Sequence, residues 1–244
     1  MPGIGTIVNT LTVIAGSLIG MIAKKGLSES LQNSLLKALG LATMFIGIGC
    51  TMQEMLVIQP DGSLSANGIM MMILSIALGT LVGELLHIED FLESLGDRIR
   101  KIPVFRNNDS KFTEGFVTAT LVVCVGAMAI VGALRDGLEG DPTMLYSKSI
   151  LDFISTMIFA STLGIGVLFS AIPMALYQGF FTVCAGFIGS FFDDAVISNL
   201  SLVGSVLIFG VGVNLFFGKQ VKVGNMLPAL LVPIFYGLIQ MVIA

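Results

Sequence analysis

"IGTIVNTLTVIAGSLIGMIA", residues 4–23, runs for twenty positions without a charged side chain and is followed at once by Lys24 and Lys25. A hydrocarbon core about 30 Å thick takes roughly 20 apolar residues of helix to cross. The stretch therefore reads as a transmembrane helix. Windows of the same kind recur near residues 33–53, 66–86, 113–133, 147–167, 172–192, 199–217 and 224–243. The division between the fifth and sixth rests on "SAIPMALYQG", where Pro173 is the helix breaker. Without that break the count is seven instead of eight. The expected fold class is all-α, a polytopic transmembrane helical bundle of about eight crossings.

Composition agrees. The chain has 244 residues, 55% hydrophobic and 11% charged, against roughly 25% charged in a soluble domain. Almost nothing is left for a soluble domain, so residues 1–244 are expected to form a single integral membrane domain whose main partner is the lipid bilayer. The net charge of −4 argues against nucleic acid, which is bound through clustered Lys and Arg. Cys50, Cys124 and Cys184 fall in apolar segments and read as small packing residues. The opening "MPGIGTIVNT" lacks the basic region of a signal peptide, so the first helix is expected to be retained.

Short loops allow orientation to be read from positive charge. Lys24, Lys25 and Lys37 flank the first loop; Arg98, Arg100, Lys101, Arg106 and Lys111 lie in the third; Lys219 and Lys222 lie in the seventh. Eight crossings put ten of the twelve basic residues on one side, expected to be the cytoplasm, with both termini outside. Arg135 and Lys148 are the exceptions. Between the third and fourth crossings, "HIEDFLESLGDRIRKI" aligns Ile88, Phe91, Leu92, Leu95, Ile99 and Ile102 at helical spacing, as in a helix lying in the interface. His87 is the only histidine, and no second imidazole or nearby cysteine completes a metal site, so no metal or other cofactor is expected.

Small-xxx-small patterns close three crossings: Gly16 and Gly20, Gly79 and Gly83, Ala185 and Gly189. Each is followed by a polar stretch and a glycine-bearing crossing, with Gly47, Gly49, Gly126, Gly210 and Gly212 at similar places. The pattern suggests repeat units at 66–167 and 172–244, with 4–53 as a further related helix pair. Such units would insert with opposite orientation, as in many secondary transporters. Small residues also let any helices approach closely, and they suit homo-oligomer formation.

Few residues inside the crossings are expensive to bury. Asn9, Glu84, Asp152 and Asn214 lie within them, and Arg135, Asp136, Lys148 and Asn225 at their edges. An ionisable group in a membrane is a functional candidate by default. Asp152 is the strongest, about one turn into its crossing, with Ser149, Ser155 and Thr156 on the same face and Lys148 at i−4, within pairing distance. That polar stripe suggests a wet cavity; the plainer reading is a terminal salt bridge with Lys148 reaching to the interface. The segment 134–146, "LRDGLEGDPTMLY", carries Arg135, Asp136 and Asp141. It reads equally as a surface loop or as a re-entrant one. Asn9 and Thr12 read as interhelical hydrogen-bonding groups.

Together "GTIVNTLTVIAGSLIG", "CVGAMAIVGALRDGLEGD", "SKSILDF" and "GVNLFFGKQVKVGNMLPAL" resemble the prokaryotic membrane proteins catalogued as domain of unknown function 554, the YdfK- and YqgA-like proteins. The resemblance covers essentially the whole chain. It implies a multi-pass membrane protein and no particular activity. Its motif positions fall on Arg135 or Asp136, Gly137, Gly140, Asp141, Lys148, Ser149, Asp152, Asn214, Lys222, Asn225 and Pro228. Phe153 departs from the small residue expected after the Asp, which counts against a close backbone approach there.

The leading functional expectation is a transporter or channel for a small ion or polar solute, with Arg135, Asp136, Asp141, Lys148, Ser149, Asp152, Ser155, Thr156, Asn214 and Asn225 on its pathway. The alternative is a non-transporting scaffold or accessory subunit. An enzyme is the weakest class. Asp141 and Asp152 lie in or near one loop instead of on facing helices, His87 has no nucleophile to serve, and no phosphate-binding loop occurs.

Overall fold

The structure is a computed structural model describing residues 2–24, 28–100, 111–124, 127–188 and 194–243. Lys25, Lys101, Ile102, Arg106, Gly126, Gly189 and the end of the 172–192 crossing lie outside the described residues. Where no water reaches the backbone, each N–H and C=O must be satisfied within the protein, and helices do this locally. The long elements are α1 (Ile4–Lys24), α2 (Glu29–Met55), α3 (Ile69–Leu86), α4 (Ile88–Arg100), α5 (Phe112–Cys124), α6 (Ala127–Leu138), α7 (Thr143–Leu163), α8 (Ala171–Ile188), α9 (Asp194–Phe217) and, after the short α10 (Val223–Met226), α11 (Leu231–Ile243). Short 3₁₀ segments, Gly164–Ser170 and Leu227–Leu230, join α7 to α8 and α10 to α11.

Among the described residues six helical stretches are long and apolar enough to cross a membrane, seven if the bent α5–α6 pair is counted. That pair lies where a single crossing is expected at 113–133 and is bent, its two axes differing by 57°, as in a broken span or a re-entrant pair. It corrects the end of that crossing. Arg135 and Asp136 do not leave the helix; α6 continues to Leu138, and Gly140 (φ +67°) turns the chain. A second difference is a small antiparallel hairpin after α2, β1 (Leu56–Ile58) and β2 (Leu64–Ala66), inside a fold expected to be wholly helical. Asp61 and Gly62 (φ +80°) make its turn, and Asp61 accepts hydrogen bonds from both the amide and the hydroxyl of Ser63.

The chain forms two compact units. The first comprises Met1–Leu39, Asp90–Cys124 and Met128–Gly189; the second comprises Gly40–Glu89, Val125–Ala127 and Ser190–Ala244. In the first, α1 is central. Gly5 lies against Leu145, Gly16 against Phe153 and Thr156, and Gly20 against Met157 and Ala160, so α1 and α7 run parallel. In contrast, Thr6 meets Thr182, Asn9 meets Gln178, and Val13 packs with Met174 and Ala171, so α8 runs antiparallel to α1. The 44-residue apolar stretch Thr143–Gly186 therefore folds back on itself at the 3₁₀ turn.

The expectation drawn from Phe153 is corrected by the same packing. A Cβ on Gly16 would stand 2.5 Å from the Phe153 carbonyl oxygen. Backbone approaches backbone there because α1 supplies the small residue, leaving the ring of Phe153 free to point elsewhere. A Cβ on Gly20 would collide with the Met157 carbonyl.

In the second unit α2 and α9 are antiparallel: Gly40 and Gly47 pack on the backbone of Phe216 and Phe209, and Thr51 and Ser205 share a 2.8 Å hydrogen bond. Gly79 and Gly83 of α3 pack on Ala229 and Asn225. Gly49 has nothing within 4 Å, so glycines at matching places in the suggested repeats do not share one environment. The helix expected to lie in the interface forms as α4, with Ile88, Leu92, Leu95 and Ile99 half-buried and Phe91 exposed. Its Gly96 packs on Thr113 and Phe116.

Gly20→Leu should cost about 3 kcal/mol or more, since overpacking against backbone has no relaxed alternative, whereas Gly49→Ala should stay within about 1 kcal/mol and be neutral or stabilising. Thermal midpoints of the purified protein in detergent check both.

Candidate functional site

The first unit holds a buried polar layer where α1, α7 and α8 meet. Lys148 and Asp152 are one turn apart on α7, and Lys148 Nζ lies 2.5 Å from Asp152 Oδ2. Both residues are buried, at 6% and 5% exposure, so the ammonium does not reach to an interface. Asn9 of α1, fully buried, donates from Nδ2 to the same carboxylate oxygen at 3.0 Å and to Gln178 Oε1 of α8 at 3.3 Å; the Sδ of Met174 lies 3.4 Å away. Two helices, α1 and α7, thus supply the donors to one carboxylate oxygen, and α8 reaches the group only through Asn9. Asn9 Oδ1 and Gln178 Nε2 have no hydrogen-bond partner among the described residues. Unfilled capacity of this kind at a buried site calls for an explanation.

One turn nearer the start of α1 is a second polar layer. Asp136, fully buried near the end of α6, accepts a 2.9 Å hydrogen bond from the Gly5 amide at Oδ2. A carboxylate there serves an otherwise unpaired N–H in the first turn of α1 and complements the helix dipole. Its Oδ1 has no partner among the described residues. Beside it the hydroxyls of Thr6 and Thr182 are 3.2 Å apart, and α6 lies so close to α8 that a Cβ on Gly137 would clash with the Thr182 carbonyl.

The remaining candidates divide. Ser149 donates to the Leu145 carbonyl and Thr156 to the Asp152 carbonyl, both 2.7 Å, so these hydroxyls of the polar stripe are bound to their own helix. Ser155 is half-buried. Arg135 is exposed and pairs with no carboxylate among the described residues. Asp141 accepts hydrogen bonds from the hydroxyl and the amide of Thr143, at 2.5 and 3.0 Å, and organises the first turn of α7. The Thr143 hydroxyl is the chief cause that holds its carboxyl below the usual carboxylate range. Segment 134–146 is thus mostly helix, with only residues 139–142 between α6 and α7.

Asn214 and Asn225 belong to the second unit, where each holds backbone. Asn214 bridges the turn after α9, donating to the Val221 carbonyl and accepting from the amides of Gln220 and Val221. Asn225, buried, accepts from the Glu89 amide at 2.7 Å. The Glu89 carboxylate is itself buried; it accepts from the Gly224 amide at 3.0 Å and pairs with Lys219 at 2.8 Å. Lys222 pairs with Glu84 at 3.1 Å.

Sequence reasoning does not reach Gln178, Glu89 or the Thr6–Thr182 pair. Gln178 carries the same signal as Asn9, an amide inside an apolar crossing. Glu89 looks like one more acid on the polar face of an amphipathic helix. Among the described residues no three His, Cys, Asp or Glu side chains converge as metal ligands.

Six or seven helical stretches long and apolar enough to cross a bilayer, with few charged side chains among them, define a multi-pass membrane protein. Within that class, the family described as "Protein of unknown function (DUF554)" matches residues 4–237, and the chain belongs to it. It is 33% identical over 229 residues to the uncharacterized membrane protein YdfK of Bacillus subtilis, covering 94% of this chain and 93% of that one. It is 31% identical over 233 residues to the uncharacterized protein YqgA of Escherichia coli, covering 93% of each. No solved structure matches the chain.

Lys148→Met alone should destabilise by about 3–5 kcal/mol, because it leaves a carboxylate buried without its counter-ion, while Lys148→Met combined with Asp152→Leu should recover most of that loss. Chemical or thermal unfolding of the three proteins in detergent measures it.

Proposed function

We propose that the chain is a transporter or channel for a small ion or polar solute, with the Lys148–Asp152 pair as its charged centre. One observation carries this reading. A carboxylate and an ammonium are buried together between helices that cross a membrane, next to amide groups with unfilled hydrogen-bonding capacity. A scaffold gains little from such an arrangement, since apolar side chains of the same volume pack as well or better. A conduit needs charge that can change partners. On this reading Asp152 binds a proton or cation and Lys148 is its replaceable counter-ion.

The topology that goes with it has eight crossings, counting α5–α6 as one and α7 and α8 as two. Charge bias then places both termini outside the cytoplasm and α4 in the cytoplasmic interface. Association with further copies of the chain would use other faces, since Gly16, Gly20, Gly79 and Gly83 pack within the chain. No covalent chemistry is assigned.

A scaffold reading is favoured by one observation, the binding of Ser149 and Thr156 to their own helix, as in a dry core. Two measurements separate the readings. In liposomes loaded with fluorescent reporters of protons, sodium and potassium, the wild type is expected to conduct at least one of these ions and Asp152→Asn to lower that flux to background. Unchanged flux in the variant would remove Asp152 from the pathway. Cysteines placed by Ser149→Cys and Thr156→Cys are expected to react with a charged, membrane-impermeant thiol reagent; complete protection would favour the scaffold.

A further inference from the structure

Both polar layers of the first unit lie on one side of α1. The lower layer, Asn9 with Gln178, Asp152 and Lys148, and the upper layer, Gly5 and Thr6 with Asp136 and Thr182, are separated by one turn on α1 and by one turn on α8. A turn of helix advances about 5.4 Å. Two buried carboxyl groups are therefore strung along a single helix face, with two hydroxyls and two amides beside them.

Asp136 is the unexplained member. It is fully buried and makes no ion pair among the described residues, and Gly5 occupies only one of its oxygens. Oδ1 lacks a partner in either state of the group. Ionised, it accepts from no donor among the described residues; protonated, its O–H meets no acceptor among them. A water molecule, which donates to the ionised group, accepts from the protonated one and as hydronium delivers the proton, would fill the gap in each state. The lower layer favours the same ligand over a metal cation. Asp152 Oδ2 is approached by N–H donors, Lys148 Nζ and Asn9 Nδ2, where a metal ion would call for converging oxygens.

We propose that Asp136 carries an exchangeable proton and is the first of two carboxyl stations through which protons reach Asp152, an inference that rests on reading Asp152 as an ion-handling centre. An O–H bond forms on Asp136 Oδ1 as a hydronium ion gives up its proton to become water. That bond breaks as the proton passes, through water or the intervening side chains, to the Asp152 carboxylate. Asp136 is left ionised, and Lys148, still protonated, loses its counter-ion. The titratable groups on the elements around Asp136 are Arg135 on its own helix, Glu139 and Asp141 in the following turn, Tyr146, Lys148 and Asp152 on α7, and Tyr177 and Cys184 on α8; α1 contributes none between Ile4 and Ala23.

A hydrophobic carbodiimide, which modifies protonated carboxyl groups in apolar surroundings, tests this on the wild-type protein in lipid vesicles, with sites read by mass spectrometry. Labelling is expected at Asp136 and to fall about tenfold for each pH unit above the point of half-labelling. It should persist in Asp152→Asn and vanish in Asp136→Asn, whose side-chain oxygen can still accept from the Gly5 amide. An Asp136 that stays unlabelled across the pH range, or labels independently of pH, overturns the proposal. The readout involves no transport. If Asp136 labels as expected while Asp152→Asn leaves flux unchanged, the proton site stands and the conduit reading fails.

Discussion

A carboxylate buried between membrane helices must find its donors there, and around Asp152 two helices supply them while a third holds one donor in place. Its own helix supplies Lys148, α1 supplies Asn9, and α8 joins through Gln178, which accepts from the same Asn9 amide. A buried pair of this kind is costly to form and costlier to break, since removing one partner strands the other. The relative placement of α1, α7 and α8 is therefore tied to the polar layer as much as to apolar packing.

Glycine makes the layer reachable. An amide side chain extends only a few ångströms, so α1 must lie against α7 almost backbone to backbone for Asn9 to reach Asp152. Gly16 and Gly20 permit this on the turns below Asn9, and Gly5 permits it on the turn above, where Leu145 and Asp136 fill the space of its missing side chain. The small-xxx-small pattern thus acts here as a spacer within the fold. The same device in α3, Gly79 and Gly83, brings the backbone of Ala229 and Asn225 close in the second unit. Small residues and polar anchors belong to one design, since in lipid neither close packing nor a polar bond is driven by water.

Much of this was legible in the sequence, and the misses have physical reasons. Membrane crossings are read from length and apolarity, so α1, α2, α3, α9 and α11 sit close to where the windows place them. The Lys148–Asp152 pair is legible because i and i+4 share a helix face. The break between α5 and α6 is not, because hydropathy is blind to helix direction. Arg135 and Asp136 look alike as the charged end of a crossing, yet one is exposed and the other fully buried, and only the proximity of the Gly5 amide from a distant helix distinguishes them. Asn214 and Asn225 carry the signal of a binding site in the sequence, but in the fold each holds backbone at a turn. An amide inside a crossing announces that something is bound there without saying whether it is solute or main chain.

The central claim is that Asn9 and Asp152 are energetically coupled across the α1–α7 contact. A double-mutant cycle with Asn9→Ala, Asp152→Asn and the combined variant, followed by reversible unfolding in detergent, measures this directly. A direct hydrogen bond to a charged group predicts a coupling energy of about 1.5–3 kcal/mol. Additive effects, with coupling below about 0.5 kcal/mol, would contradict the account and leave Asp152 held by its own helix alone.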